Sequence, residues 1–172
     1  MWEFANGIDN SDVNYQEHDA KSISSSTVLP YDYESRSECL KVLKSLSMEV
    51  GKKLRLDGLY ARNVSIWIKY NNFIKVSKQI SLDNVVHTDK EIYQYATSLF
   101  DKLWNRDNLI RGLCVGVGNL SGACDRQISL FDINDKKDLK KDDDKLQKTI
   151  DEIRKKYGND KIIYADMLKK DK

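Results

Sequence analysis

The sequence predicts an α+β fold: a two-layer βαββαβ sandwich with a four-stranded, mainly antiparallel sheet, two helices on one face and a C-terminal tail helix. Three observations carry this. Residues 63–69 alternate strictly, with Val64, Ile66 and Ile68 facing one way and Asn63, Ser65, Trp67 and Lys69 the other. Two apolar stripes at helical spacing each follow an S/T-x-x-E start signal. Each strand and helix is apolar on one side, so a sheet and a helix layer can close on one core.

The elements follow in order. WEFA and then Asn6-Gly7 reads as the last turn of a helix with its C-cap, and the polar residues 8–21 read as a linker. Residues 22–29, SISSSTVL, predict a strand that Pro30 and Asp32 end. Ser35 with Glu38 forms a capping box for a helix over about 36–56, with Cys39, Val42, Leu43, Leu46, Val50 and Leu54 as its stripe and Asp57-Gly58 as its stop. The alternating strand then turns at Asn71-Asn72. Its partner puts Val76, Ile80 and Leu82 on the apolar face and Lys75, Ser77, Gln79 and Ser81 on the polar one, with Lys78 as an exception.

Thr88 with Glu91 opens the second helix, whose stripe is Ile92, Tyr95, Ala96, Leu99, Phe100, Leu103 and Trp104. A last strand over 110–118 carries Leu113, Val115 and Val117 inward and Gly112, Cys114, Gly116 and Gly118 outward. Beyond Cys124, KKDLKKDDDK reads as a flexible charged linker. Leu146, Ile150, Ile153 and Tyr157, closed by Gly158, then make a short amphipathic helix.

Composition narrows the function classes. The chain has 172 residues, a net charge of +2 and no run of 18 apolar residues, so no transmembrane helix is expected. Its first residues lack the pattern of a signal peptide. Three cysteines with no CxxC predict reduced thiols and a cytoplasmic location. With only His18 and His87 besides, a His/Cys metal site is not expected, and no cofactor is predicted for this chain. GVGNLSG contains G-x-G, but no helix starts there to receive a pyrophosphate. Asp142-Asp143-Asp144 lacks the spacing of a calcium loop. No catalytic residues are assigned.

Charge distribution says more than net charge. From Lys52 to Lys78 there are seven basic residues against one acid, Asp57. Such an excess suits a phosphate-binding surface. The helices cover one sheet face and leave the other open. Asn63, Ser65, Lys69, Lys75 and Ser77 project from it, and Lys21, Ser24 and Ser26 join them at the first strand. Arg62 and Lys78 are further candidates at the strand ends, although alternation puts them on the other face. The glycines of the last strand would let a nucleic-acid backbone approach closely. Trp67 is the one exposed aromatic expected there, which favours duplex backbone over stacked single strands.

Several linked stretches resemble a known family. KSISSSTVLPYD, ARNVSIWIKYNNFIKVSKQISL and RGLCVGVGNL are similar, in this order, to the C-terminal little finger domain of bacterial Y-family translesion DNA polymerases, the ImpB/MucB/SamB group. WEFANGIDNSDV resembles the end of that family's thumb and the start of its tether. The resemblance implies a thumb-helix end over 1–7, a linker over 8–21 and a little finger domain over 22–123. It also implies a fragment of a longer polymerase. Magnesium is expected for the parent enzyme, and this chain without the catalytic palm is expected to be inactive alone.

RQISLFD also gains a reading. Leu130 and Phe131 are adjacent, so they cannot face one core from one strand. The segment resembles the bacterial sliding-clamp-binding motif, with Gln127, Ser129, Leu130 and Phe131 matching and Ile128 replacing a leucine. Residues 124–133 would form the clamp-binding peptide, followed by the charged linker and short helix of 134–172. Burying Leu130 and Phe131 in an apolar pocket would contribute about 1.5–3 kcal/mol each, and ordering costs leave an affinity of about micromolar. The expected partners are duplex primer–template DNA and the sliding clamp, with no membrane and no oligomer predicted. Two rivals remain: a stand-alone RNA-binding module of the same strand–helix order, and a non-catalytic clamp-binding regulator.

Overall fold

The computed structural model describes residues 2–12, 15, 19–122, 137–158, 161, 162, 164 and 165; for 137–144 it describes the backbone alone. The element order is α1 (Trp2–Ala5), β1 (Ser22–Tyr33), α2 (Arg36–Leu56), β2 (Tyr60–Tyr70), β3 (Lys75–Val86), α3 (Asp89–Leu103), β4 (Ile110–Ser121) and α4 (Lys137–Tyr157). The strands form one sheet in the order β1-β4-β2-β3, and every neighbouring pair is antiparallel. The α+β sandwich read from the hydrophobic periodicity is the fold observed.

The core lies between the sheet and the pair α2–α3. Val64, Ile66, Ile68, Leu113, Val115 and Val117 meet Leu43, Val50, Leu54, Ile92, Ala96 and Phe100, all at most 1% exposed. Period 2 on the strands and period 3.6 on the helices both resolve onto this one layer. Arg36 ties the two helices at their edge through a paired contact to Asp101, 2.8 Å at each nitrogen. That guanidinium holds the Asp101 carboxyl below the usual carboxylate range.

Several local expectations need correction. β1 does not stop at Pro30 but runs on to Tyr33. Its ladder to β4 is interrupted between Val28 and Tyr33, and a proline is tolerated on this edge strand. Ser35 precedes α2 in extended conformation but makes no side-chain cap; its hydroxyl meets Ser37 at 2.9 Å. Thr88 does form the full capping box with Glu91. On β3, Ile80 is 36% exposed and Val76 and Leu82 are half-buried, because an edge strand has sheet on one side only. α1 closes as expected, with Gly7 at φ +74° and Ile8 N–H donating to Glu3 O at 2.9 Å.

The largest difference lies in α4. The run KKDLKKDDDK, expected to be a linker, is helix from Lys137 onward. On the predicted apolar stripe, Leu146 is 59% and Tyr157 58% exposed, while Ile150 and Ile153 are half-buried. The helix turns Gln147, Asp151 and Arg154 toward the domain. Arg55 of α2 holds Asp151 at 2.5 and 3.1 Å and Asp89 at 2.8 Å. Gln147 donates to Asp89 at 3.1 Å, and Arg154 lies 3.9 Å from it. Burial pushes the Asp89 carboxyl above its ordinary range, and the Arg55 and Arg154 guanidiniums work against that shift.

Candidate nucleic-acid interface

Sheet register fixes what the open face presents. Antiparallel pairing lines up side chains across all four strands in rows. From one end, the rows are Ser22–Gly118–Asn63–Ser81, Ser24–Gly116–Ser65–Gln79, Ser26–Cys114–Trp67–Ser77 and Val28–Gly112–Lys69–Lys75. No row contains a carboxylate, and the cations, Lys69 and Lys75, share the last one. β4 forms a trough through the middle. A Cβ on Gly116 would sit 2.9 Å from the Ser65 hydroxyl, and one on Gly112 would meet Thr27 O at 3.2 Å. The small residues therefore let the neighbouring strands lean over the trough.

The structure brings Ser24, Ser26, Asn63, Ser65, Lys69, Lys75 and Ser77 onto this face, with Lys21 exposed immediately before β1. Arg62 and Lys78 are not part of the rows. Lys78 sits opposite Ile66 on the helix-side parity of the edge strand. Arg62 lies where the β2–β3 ladder is irregular and donates to Asp83 O at 3.3 Å. The basic excess of 52–78 also divides. Lys52, Lys53 and Arg55 belong to α2, where Arg55 is engaged by Asp89 and Asp151 and Lys53 reaches Ser24 O at 3.5 Å. Linear clustering thus overstated the charge on one surface.

Two residues were missed. Arg111 belongs by alternation with the inward residues, but the β2–β4 ladder pairs Lys69 with Gly112 and Tyr70 with Ile110, leaving Arg111 unmatched. Such an irregularity re-aims a side chain. The Arg111 guanidinium lies 5.0 Å from the Phe73 ring and 3.6 Å from Asp32. Phe73 itself, in the β2–β3 turn, is 63% exposed, whereas Trp67 is half-buried. The expectation of Trp67 as the one exposed aromatic is therefore corrected. Lys75 lies 4.1 Å from the Trp67 ring and Lys69 4.9 Å from the Phe73 ring, within cation–π range.

RQISLFD, residues 126–132, lies outside the described residues, and so do Gln127, Ile128, Ser129, Leu130 and Phe131. Among the described residues there is no group of three or more His, Cys, Asp or Glu side chains placed to hold a metal. No described helix is long and apolar enough to cross a membrane.

A family model described as the impB/mucB/samB family C-terminal domain matches residues 20–130. A DNA polymerase IV of Clostridium acetobutylicum is 36% identical over 171 residues, covering 99% of this chain and 42% of that protein. A DNA polymerase IV of Clostridium kluyveri is 35% identical over 176 residues, covering 99% and 44%. The chain therefore spans less than half the length of these relatives. Among solved structures, a Y-family DNA polymerase chimera of Dbh and Dpo4 superimposes with a TM-score of 0.55 at 18% identity, over 69% of this chain and 33% of that one. At that identity the likeness is one of fold. By the match to its family model over most of its length, the chain belongs to the impB/mucB/samB family and carries that family's C-terminal domain.

Proposed function

We propose that this chain is the DNA-gripping and clamp-tethering part of an error-prone translesion DNA polymerase. The open sheet face would lie along the phosphate backbone of the primer–template duplex, and RQISLFD would dock on the sliding clamp. One observation carries the first half: four cross-strand rows with a glycine trough, two lysines and no carboxylate. Serine hydroxyls and the Asn63 amide can donate to phosphate oxygens, and lysines that neutralise phosphates release counterions. Such contacts bind backbone without reading sequence, as an enzyme that works on many templates requires. Nucleotide addition, with its magnesium, belongs in this reading to the part of the relatives' length that this chain does not span.

Duplex affinity, followed by fluorescence anisotropy against salt, tests the face. Lys69→Ala with Lys75→Ala should weaken binding and reduce the slope of log K against log salt by about two. A slope unchanged from the original protein would remove the sheet face from the interface, and stronger binding to single-stranded RNA would favour an RNA-binding module instead. For the tether, Leu130→Ala with Phe131→Ala should abolish capture by the purified clamp while leaving duplex affinity intact. Undiminished capture would reject the clamp assignment.

A further inference from the structure

The turn between β2 and β3 holds a residue that local preference would not put there. Phe73 has φ +66°, in the left-handed region where a bulky L-residue is strained. Asn119 is the other described non-glycine residue with positive φ, and asparagine tolerates it. Two asparagines, Asn71 and Asn72, directly precede Phe73, so a turn shifted by one residue would place a tolerant side chain at the strained position. Hydrogen bonds hold the observed register instead: Phe73 N–H to Tyr70 O at 3.0 Å, Tyr70 N–H to Ile74 O at 2.9 Å, and Ile74 N–H to the Asn72 side-chain oxygen at 3.0 Å. The strain is not offset by burial, because Phe73 is 63% exposed and lies outside the core. Strain at an exposed position points to a role in binding.

The ring's neighbours indicate the ligand. Lys69 and Arg111 approach it to 4.9 and 5.0 Å. Lys69 also sits directly opposite Lys75 across the strand pair, an arrangement of like charges that is unfavourable without a counter-charge. Three cations are therefore gathered at one end of the open face, where the Asp32 carboxylate lies 3.6 Å from Arg111. A polyanion relieves that repulsion. Because the rings rather than acids hold Lys69 and Lys75 in place, their charge stays available.

We propose that Phe73, Lys69 and Arg111 form a gripping tip for the sugar–phosphate backbone of a nucleic-acid duplex, the ring lying against a sugar and the two cations on the flanking phosphates. This rests on the duplex reading of the open face. It adds a non-ionic contact and one cation that the strand pattern alone leaves out.

The test uses the full chain and a labelled DNA duplex of about 20 base pairs, long enough to cover the sheet face. Glycine adopts positive φ freely, so Phe73→Gly should keep or raise the melting temperature. It should also lower duplex affinity about five- to tenfold with the salt slope unchanged, as loss of an apolar contact requires. Arg111→Gln should reduce the slope by about one. If Phe73→Gly binds as tightly as the original while Lys69→Ala with Lys75→Ala binds weakly, the tip is wrong and the face reading stands. If neither substitution weakens binding, both fall. A lowered melting temperature for Phe73→Gly would make the residue structural. A slope reduced by Phe73→Gly would make it a positioner of Lys69, and either result overturns the sugar contact.

Discussion

Gly51 sits where α2 passes the first turn of α3, and its missing side chain makes the neighbouring ion pair possible. A Cβ there would lie 2.3 Å from Asp89 Oδ1 and 2.9 Å from an Arg55 nitrogen. Asp89 is only 2% exposed, so the carboxylate has nowhere to retreat. Gly51→Ala gains helix propensity, yet it should destabilise the domain by about 1–3 kcal/mol through displacement of this pair, read as a lowered midpoint in urea unfolding. A midpoint equal to or above that of the original protein would show that α2 and α3 can part without cost. Within the sequence, Gly51 looks like a weak point in a long helix. Its reason becomes visible only when Asp89, 38 positions later, is brought against it. Phe73 and Arg111 are similar cases, since one depends on turn register and the other on a ladder irregularity that strict alternation does not reveal.

α4 shows the same limit at the scale of an element. Periodicity locates its last three turns but does not say which side docks. Gln147, Asp151 and Arg154 lie at i, i+4 and i+7, a polar stripe beside the apolar one, and they meet charges already present on α2 and α3. Among the described residues, no α4 side chain belongs to the hydrophobic core. An interface made of ion pairs gains little net free energy, because desolvation offsets much of the attraction. α4 should therefore separate from the domain well before the domain unfolds. Asp151→Asn with Arg154→Gln should raise amide exchange across residues 145–157 at least tenfold, which at about 1.4 kcal/mol per tenfold is a modest loss. Exchange at Ile66 and Val115 should stay as it was, since Arg55 keeps Asp89 and the His87 carbonyl as partners. Equal loss of protection in the sheet would show that α4 is an integral part of the fold. The charged run ahead of Lys145 was misread for a related reason. Mixed Lys and Asp look solvated in isolation, yet charged residues are compatible with a helix.

For the molecule as a whole, the layer architecture was legible because it follows from burial alone. A strand reading Val64, Ile66, Ile68 and helices reading Leu43, Val50, Leu54 and Ile92, Ala96, Phe100 have one economical way to remove apolar surface from water. The open face was legible for the converse reason: once two helices take one side of a sheet, the alternate residues must face out. Strand order was not legible. β4 inserts between β1 and β2, placing the glycines of residues 112–118 at the centre of the face. The sequence by itself thus determined the elements, their apolar sides and the family resemblance, because these depend on local periodicity and on motifs within short windows. Tertiary structure alone decided that Lys69, Lys75, Arg111 and Phe73 share one corner, that Arg55 leaves the basic cluster to bind Asp89 and Asp151, and that α4 docks by its polar side. The physical reason is that charge pairing and ladder register are settled between segments distant in the chain, where the partner rather than the local pattern sets the lowest free energy.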